Sequence, residues 1–380
     1  MNLGLGKLVP GDLKRERRFL FITFLALTLF GILMIYEASS LYAFKATADA
    51  AYFFKKQSFF FLIGVFFFSL TLLIDLEFLK RHSKELLIIT LFFLIMVIFF
   101  GKRGGGAKRW LQIGPVGFQP SELLKITFLI YCADYCCRKK GLIRNVRLGL
   151  IPLGLVLLLI CFLLILQPDL GTAIFWVLWT ILFLFLFGAR GKHLWFVILA
   201  GTIVAFFLIK FYPYRLNRIV AYLNPFADPR GSGFQLIQSQ IAYGVGGIWG
   251  VGLGEGLQKL FFLPAAHTDF IFSIIAEEFG LWGSLGLIFV FFVIFRKMFA
   301  IAKFSQDDFR KRILWGIVFI FFLEIVINIG VSCGLLPTKG LPLPFMSYGG
   351  SSLVVHYILL GLFFNASRRE DKSQKSLAKT

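Results

Sequence analysis

Long apolar runs separated by short polar connections make up most of the chain. The runs fall at about 19–40, 58–76, 86–101, 121–137, 148–166, 172–188, 194–212, 270–295, 313–334 and 351–366. Most approach the roughly 20 apolar residues that a helix needs to cross the hydrocarbon core of a bilayer. The third and fourth are short and would have to extend into their loops. The pattern predicts an all-α polytopic membrane protein with about ten transmembrane helices. A single ten-helix membrane domain covers 19–366, behind a segment 1–18 and ahead of a polar, basic tail, 367–380, read as disordered. An even number of crossings puts both termini on one side. One connection breaks the rhythm, the long loop 213–269. Within it Phe234, Ile237, Ile241 and Val245 recur at helical spacing, with Gln235, Gln238, Ser239 and Gln240 filling much of the remainder. That reads as an amphipathic helix, either lying at the membrane surface or packed on the bundle as a lid.

Composition agrees with the pattern. The chain is 58% hydrophobic with 49 Phe and only 16% charged residues, against about 45–50% and 25% for a soluble domain. The basic head Lys14-Arg15-Glu16-Arg17-Arg18 precedes an apolar stretch too long for a signal peptide, and no small-residue cleavage site follows it. A formal net charge of +20 raises the question of nucleic acid. The basic residues, however, sit in short clusters between apolar runs, as topology signals do. Of the 40 Lys and Arg, 26 lie on the side of the termini and 12 on the other, which predicts cytoplasmic termini by the positive-inside rule and no nucleic-acid partner. Cys132, Cys136, Cys137, Cys161 and Cys333 lie in or beside apolar runs without a CxxC pair and read as reduced apolar residues rather than metal ligands.

Three loops opposite the termini, 102–120, 213–269 and 335–350, are rich in Gly, Pro and aromatic residues. Irregular backbone of this kind must line a cavity, because it cannot face lipid. Their polar residues are the candidates for chemistry. Asp269, with His267, stands at the lip of the eighth run. It reads equally as a helix N-cap and as an ionisable group facing a wet cavity. Glu122 and Lys125 lie one helical face apart in QPSELLK, either as a structural ion pair or as groups polarising a cavity. Asp169 in QPDLGT reads first as a helix cap. Seven glycines between Gly244 and Gly256 lack the GK[ST] and βαβ context of a nucleotide loop, leaving tight packing or backbone anion binding as their role. Lys102, Arg103, Lys108, Arg109, Arg215, Arg218, Lys259 and Lys339 run against the topology bias. Some are solvated rims, and a converging cluster would suit a phosphate-bearing ligand. Glu277, Glu278 and Glu324 rank as network residues.

Five stretches in order carry a resemblance: GAKRWLQIGPVGFQPSELLK at 106–125, QPDLGTA at 167–173, NPFADP with GFQLIQSQIAYGVGGIWGVGLG at 224–254, QKLFFLPAAHTDFIFSIIAEEFG at 258–280, and LLPTKGLPLPFMSYGGSS at 335–352. Together they resemble the SEDS family (shape, elongation, division and sporulation), over about residues 20–365. The forms AHTDFIF and LPTKGLPLPF look more like its division branch than its elongation branch. The resemblance implies a peptidoglycan glycosyltransferase of the bacterial cytoplasmic membrane. It would polymerise lipid II, an undecaprenyl-pyrophosphate-linked precursor, on the outer face, with a class B penicillin-binding protein and other division or elongation membrane proteins as partners. The family's essential aspartate falls on Asp269 and its intramembrane pair on Glu122 and Lys125. Arg109, Trp110, Gln119, Asp169, Gln235, His267, Lys339 and Ser347 fall in the matching stretches as substrate-binding candidates. Pyrophosphate would be held by Arg109, by Lys339, or by a divalent cation such as magnesium or manganese. The competing readings are a flippase for lipid-linked precursors and a non-catalytic division scaffold.

Overall fold

The computed structural model describes residues 10–104, 107–113, 116–211 and 213–368. The extremes of the 1–18 segment and of the 367–380 tail therefore lie outside the described residues. The helices are α1 (Pro10–Thr47), α2 (Tyr52–Thr71), α3 (Leu76–Arg81), α4 (Ser83–Phe100), α5 (Pro120–Arg138), α6 (Ile151–Leu166), α7 (Leu170–Leu186), α8 (Gly191–Lys210), α9 (Pro213–Leu223), α10 (Phe234–Gly246), α11 (Ile271–Phe304), α12 (Asp308–Ser332) and α13 (Gly350–Arg368). Seven of these are long and apolar enough to cross a membrane: α1, α2, α4, α6 with the turn before it, α11, α12 and α13. The seventh helix and the first part of the eighth are apolar but shorter. Helix α5 is less apolar because it carries Glu122, Lys125, Asp134 and Arg138. These ten helices coincide with the ten apolar runs. The chain is a multi-pass membrane protein.

Packing follows residue size. Helices α2 and α13 approach closely because Gly64 lies under the ring of Tyr357, and Gly350 and Gly361 face Phe60 and Thr71. Small residues at helix contacts are the usual means of packing inside lipid, where apolar burial between helices gains little. Around this pair, Trp176, Trp179, Phe183 and Phe321 fill the centre of the bundle. The indole of Trp179 donates to the carbonyl of Gly316 at 2.9 Å, so its one polar group is satisfied.

The polar loops gather at the end opposite the termini, and two differ from the sequence expectation. The loop after α4 forms a three-stranded antiparallel sheet, with β1 (Lys102–Gly104), β2 (Ala107–Ile113) and β3 (Val116–Phe118) in the order β1-β2-β3. Short strands between glycines hold too little periodicity to stand out. Helix α10 forms where expected, but its stripe is turned. It buries Leu236, Ser239, Ala242 and Gly246 against the bundle, while Ile241 and Val245 of the apolar stripe stay exposed. Ser239 is held inward by Ser273 (2.7 Å) and by the carbonyl of Ser332 (2.6 Å). These bonds, and the close approach that Gly246 permits to Ala276, decide the face.

The glycine run after α10 acts as packing. Gly250 lies on the backbone of Glu278 and Gly280, and Val251 and Gly252 donate to the carbonyls of Glu277 and Glu278, both at 3.0 Å. Helix α11 opens at Gly280 (φ +66°, ψ −160°) to receive the run. Only glycine adopts that conformation cheaply.

Candidate active site

Two aspartates stand just ahead of apolar helices, and the structure separates their roles. Asp169 is the N-cap of α7. It accepts from the Thr172 amide at 3.3 Å and from the Thr172 hydroxyl at 2.9 Å. Asp269 caps nothing: α11 begins after Phe270 without a side-chain cap. The cap reading is therefore lost for Asp269 and holds for Asp169. Among the described residues no hydrogen bond or ion pair reaches the Asp269 carboxylate. Its backbone is nevertheless tightly held. Its amide donates to Ala265 at 3.1 Å. Asn328 of α12 donates both to the Asp269 carbonyl (2.9 Å) and to the Leu341 carbonyl (2.7 Å), stitching two loops together. The Tyr348 amide donates to the His267 carbonyl at 2.9 Å, a second stitch. A Cβ on Gly340 would stand 2.8 Å from Asp269 Oδ2, so the 339–340 backbone runs directly past the carboxylate.

Three cations face this carboxylate without reaching it. Arg109 on β2 is anchored by the Pro168 carbonyl at 2.6 Å and lies 3.8 Å from Asp169 Oδ2. Arg218 on α9 donates to the Thr338 carbonyl at 3.2 Å. The stem of Lys339 lies flat on the backbone of Gly171, where no side chain would fit. Its buried Nζ has no hydrogen-bond partner and stands 6.0 Å from the centre of the Phe175 ring. Burial pushes the Asp269 carboxyl up to about 6, against the pull of Arg218, Arg109 and Lys339. Burial likewise pushes the Lys339 ammonium down to about 7. A carboxyl poised near neutrality, beside the unpartnered ammonium of Lys339, is what a general base next to an anion site requires.

His267 is adjacent but differently employed. Its ring packs among Phe53 (4.6 Å), Tyr348 (5.7 Å) and Tyr42 (5.9 Å), and burial holds it down at about 4, hence neutral. Glu122 and Lys125 do meet, at 2.6 Å. Lys125 also pairs with Glu324 of α12, and the Glu324 carboxylate accepts from the His356 ring of α13 at 2.9 Å. Sequence reading placed Glu324 in a network but missed His356, which no local motif marks.

The other candidates are used internally. Gln119 donates to the Ser121 hydroxyl at 3.0 Å. The Ser347 hydroxyl accepts the Leu343 amide at 2.9 Å inside its own turn. The Trp110 ring lies over Gly117 within the small sheet. Gln235 is half-buried in the first turn of α10, and among the described residues no hydrogen bond joins it to the Asp269 group. Lys102 and Lys108 are exposed rims. The side chains of Arg103 and Arg215 lie outside the described residues. Lys259 belongs to a separate cluster, with Glu278 at 2.7 Å and Glu37 at 3.2 Å. Beside it, Glu277 accepts the amides of Leu257 and Gln258, which fits the network role read for Glu277 and Glu278.

Fold and site together define a multi-pass membrane protein that presents the unpaired Asp269 carboxylate near Arg109, Arg218 and Lys339 where its loops converge. The chain belongs to the FtsW/RodA/SpoVE family of cell cycle proteins, whose family model matches residues 17–372. It is 42% identical to the probable peptidoglycan glycosyltransferase FtsW of Trichlorobacter lovleyi over 353 residues, 92% of each chain. Among solved structures it resembles a chain of a peptidoglycan synthase complex that coordinates polymerization and crosslinking, at a TM-score of 0.74 and 29% identity, over 93% of this chain and 97% of that one. It also resembles the rod shape determining protein RodA of Thermus thermophilus, at 0.68 and 25% identity, over 92% and 96%.

Proposed function

We propose that the chain is a peptidoglycan glycosyltransferase that polymerises lipid II at the outer face of the bacterial cytoplasmic membrane during division. The observation that carries this reading is the Asp269 carboxylate. It is unpaired, free of any capping role, held rigidly through its backbone, and faced by Arg109, Arg218 and Lys339. In the reaction Asp269 takes the proton of the acceptor sugar hydroxyl as its oxygen attacks the donor's anomeric carbon. The bond from that carbon to the lipid pyrophosphate breaks with inversion, and the electron pair leaves on the phosphate oxygen. Pyrophosphate is already a good leaving group, so one carboxylate suffices where a glycoside hydrolase needs two. The cations stabilise the departing charge. Among the described residues no group of three or more His, Cys, Asp or Glu is placed to hold a metal ion. Magnesium and manganese are held by one or two carboxylates together with substrate phosphates, so Asp269 would suffice to hold a metal–pyrophosphate, and the roles derived are those of the chain's own side chains.

The bias of 26 basic residues to 12 supports cytoplasmic termini and an outer active site. Relatives named FtsW support a division role, and the similarity to a synthase-complex chain supports a penicillin-binding partner. Depletion in cells should give filaments; rounded cells would indicate elongation instead. The direct test is lipid II polymerisation by the purified protein with its partner, the partner's transpeptidase blocked. Asp269→Asn should lose about 10²–10⁴-fold in rate while folding and partner binding persist. Equal strand synthesis by both proteins would remove Asp269 as the base, and no synthesis by either would favour the carrier or scaffold readings.

A further inference from the structure

The turn that presents Asp269 is strained and closes on itself. Ala265 sits at φ +57°, a conformation that residues with a side chain adopt at a cost. Its carbonyl collects the amides of Thr268 and Asp269, both at 3.1 Å. Facing this turn, the 339–341 backbone carries Lys339 and passes so close that a Cβ on Gly340 would meet the Asp269 carboxylate. Neither segment belongs to a helix or strand, so each needs a hold from outside. One side chain supplies it to both. Asn328 lies near the end of α12 and is 1% exposed. Its amide nitrogen donates one hydrogen to the Asp269 carbonyl at 2.9 Å and the other to the Leu341 carbonyl at 2.7 Å. Both partners are acceptors, so the amide can face them only with its nitrogen. Asn328 Oδ1 is then left buried without a hydrogen-bond partner among the described residues, which is costly to the fold. Glu324, one turn earlier on the same face of α12, is pinned by Lys125 of α5 and His356 of α13. The Asn328 amide therefore projects from a helix fixed to two neighbours.

We propose that Asn328 is a positioning residue for glycosyl transfer: it fixes the distance between the Asp269 base and the Lys339 cation by tying their two loops to one rigid helix. This rests on the reading of Asp269 as the general base and adds the group that aligns it. The contribution is geometric. The base must reach the acceptor hydroxyl while the cations reach the pyrophosphate, and a misplacement of about 1 Å costs about 10²-fold in rate. A leucine of similar volume would keep the packing and remove the orphaned oxygen, so a purely structural role for Asn328 predicts that leucine is tolerated.

The test compares wild type, Asn328→Leu, Asn328→Ser and Asp269→Asn in lipid II polymerisation, with the partner present and its transpeptidase blocked. For each, kcat, KM and the pH profile are measured. Asn328→Leu should lose about 10²-fold in kcat, with KM changed less than about three-fold and the unfolding midpoint held. Its acid limb, set at about 6 by the buried Asp269 carboxyl, should move down as the loosened turn admits water. A smaller folded fraction would lower kcat and leave that limb in place. Asn328→Ser keeps one donor, too short to span both carbonyls, and should lose about ten-fold with the same shift; it decides the matter if the leucine variant does not fold. Val326→Ala, at an exposed position of the same helix, should match wild type. Full kcat in Asn328→Leu, or a fall in kcat with the acid limb unmoved, would overturn the proposal and leave the Asp269 reading intact. A fully active Asp269→Asn would overturn both.

Discussion

Lys125 and Lys339 both bury their ammonium groups, and they are treated in opposite ways. Lys125 lies between Glu122 and Glu324, with His356 completing the chain of contacts. Lys339 Nζ ends with no hydrogen-bond partner, and among the described residues no hydrogen bond or ion pair reaches the Asp269 carboxylate, which feels the Lys339 charge. A closed network holds helices in register. An open set of charges, held apart by rigid loops, is costly to the fold and remains available to a ligand. The difference sets the closed α5–α12–α13 network apart from the open charges of the 265–269 and 338–340 loops, on which the proposed reaction is placed.

The sharpest way to break this contrast is to remove each lysine. Lys125→Ala leaves two carboxylates buried together and should cost about 3–5 kcal/mol of stability, read as a lowered unfolding midpoint in detergent. Lys339→Ala should leave that midpoint unchanged or raised while polymerisation falls. If both variants unfold alike, the contrast between closed network and open charges is wrong.

The next effect is on pH dependence. Asp269, held up at about 6, must be ionised to act, and Lys339, held down at about 7, must be protonated to receive phosphate. The profile of kcat/KM should therefore rise through about 6 and fall above about 7. Lys339→Arg should move only the alkaline limb outward, because arginine stays charged. An unmoved limb would show that another group sets it.

The smallest effect is on stability through Asp269 itself. Its folded carboxyl titrates above the ordinary 3.8, so between about 4 and 6 the folded state holds more protons than the unfolded one. Stability from this group is present below that window and is lost as pH rises through about 6. Asp269→Asn should thus stabilise the protein by about 1–2 kcal/mol at pH 7.5, after allowance for partial solvation, and by little at pH 4. Thermal unfolding at the two pH values checks this, and equal midpoints at pH 7.5 would show that the carboxylate is well solvated.

Much of this was legible in the chain. Ten apolar runs became ten helices because the bilayer imposes length and apolarity on each crossing independently of its neighbours. The loops that carry Asp269, Arg109 and Lys339 stood out by their composition. The paired partners did not. His356 and Glu37 lie within long apolar helices, and nothing local indicates that they will face Glu324 or Lys259. The orientation of α10 was also hidden, because its apolar stripe points outward and its buried face is set by Ser239, Ala242 and Gly246.

By itself the sequence determined the membrane class, the positions of the ten apolar helices, the loops in which polar residues gather, and the shortlist of charged residues. Each of these follows from local composition and from a solvent that penalises any unsatisfied polar group. Only the tertiary structure decided which charges pair and which stay open. It made Asp169 a cap and Asp269 not, closed Lys125 between carboxylates, and left Lys339 against Gly171. Pairing depends on distances between helices far apart in the chain, and a single sequence does not contain those distances.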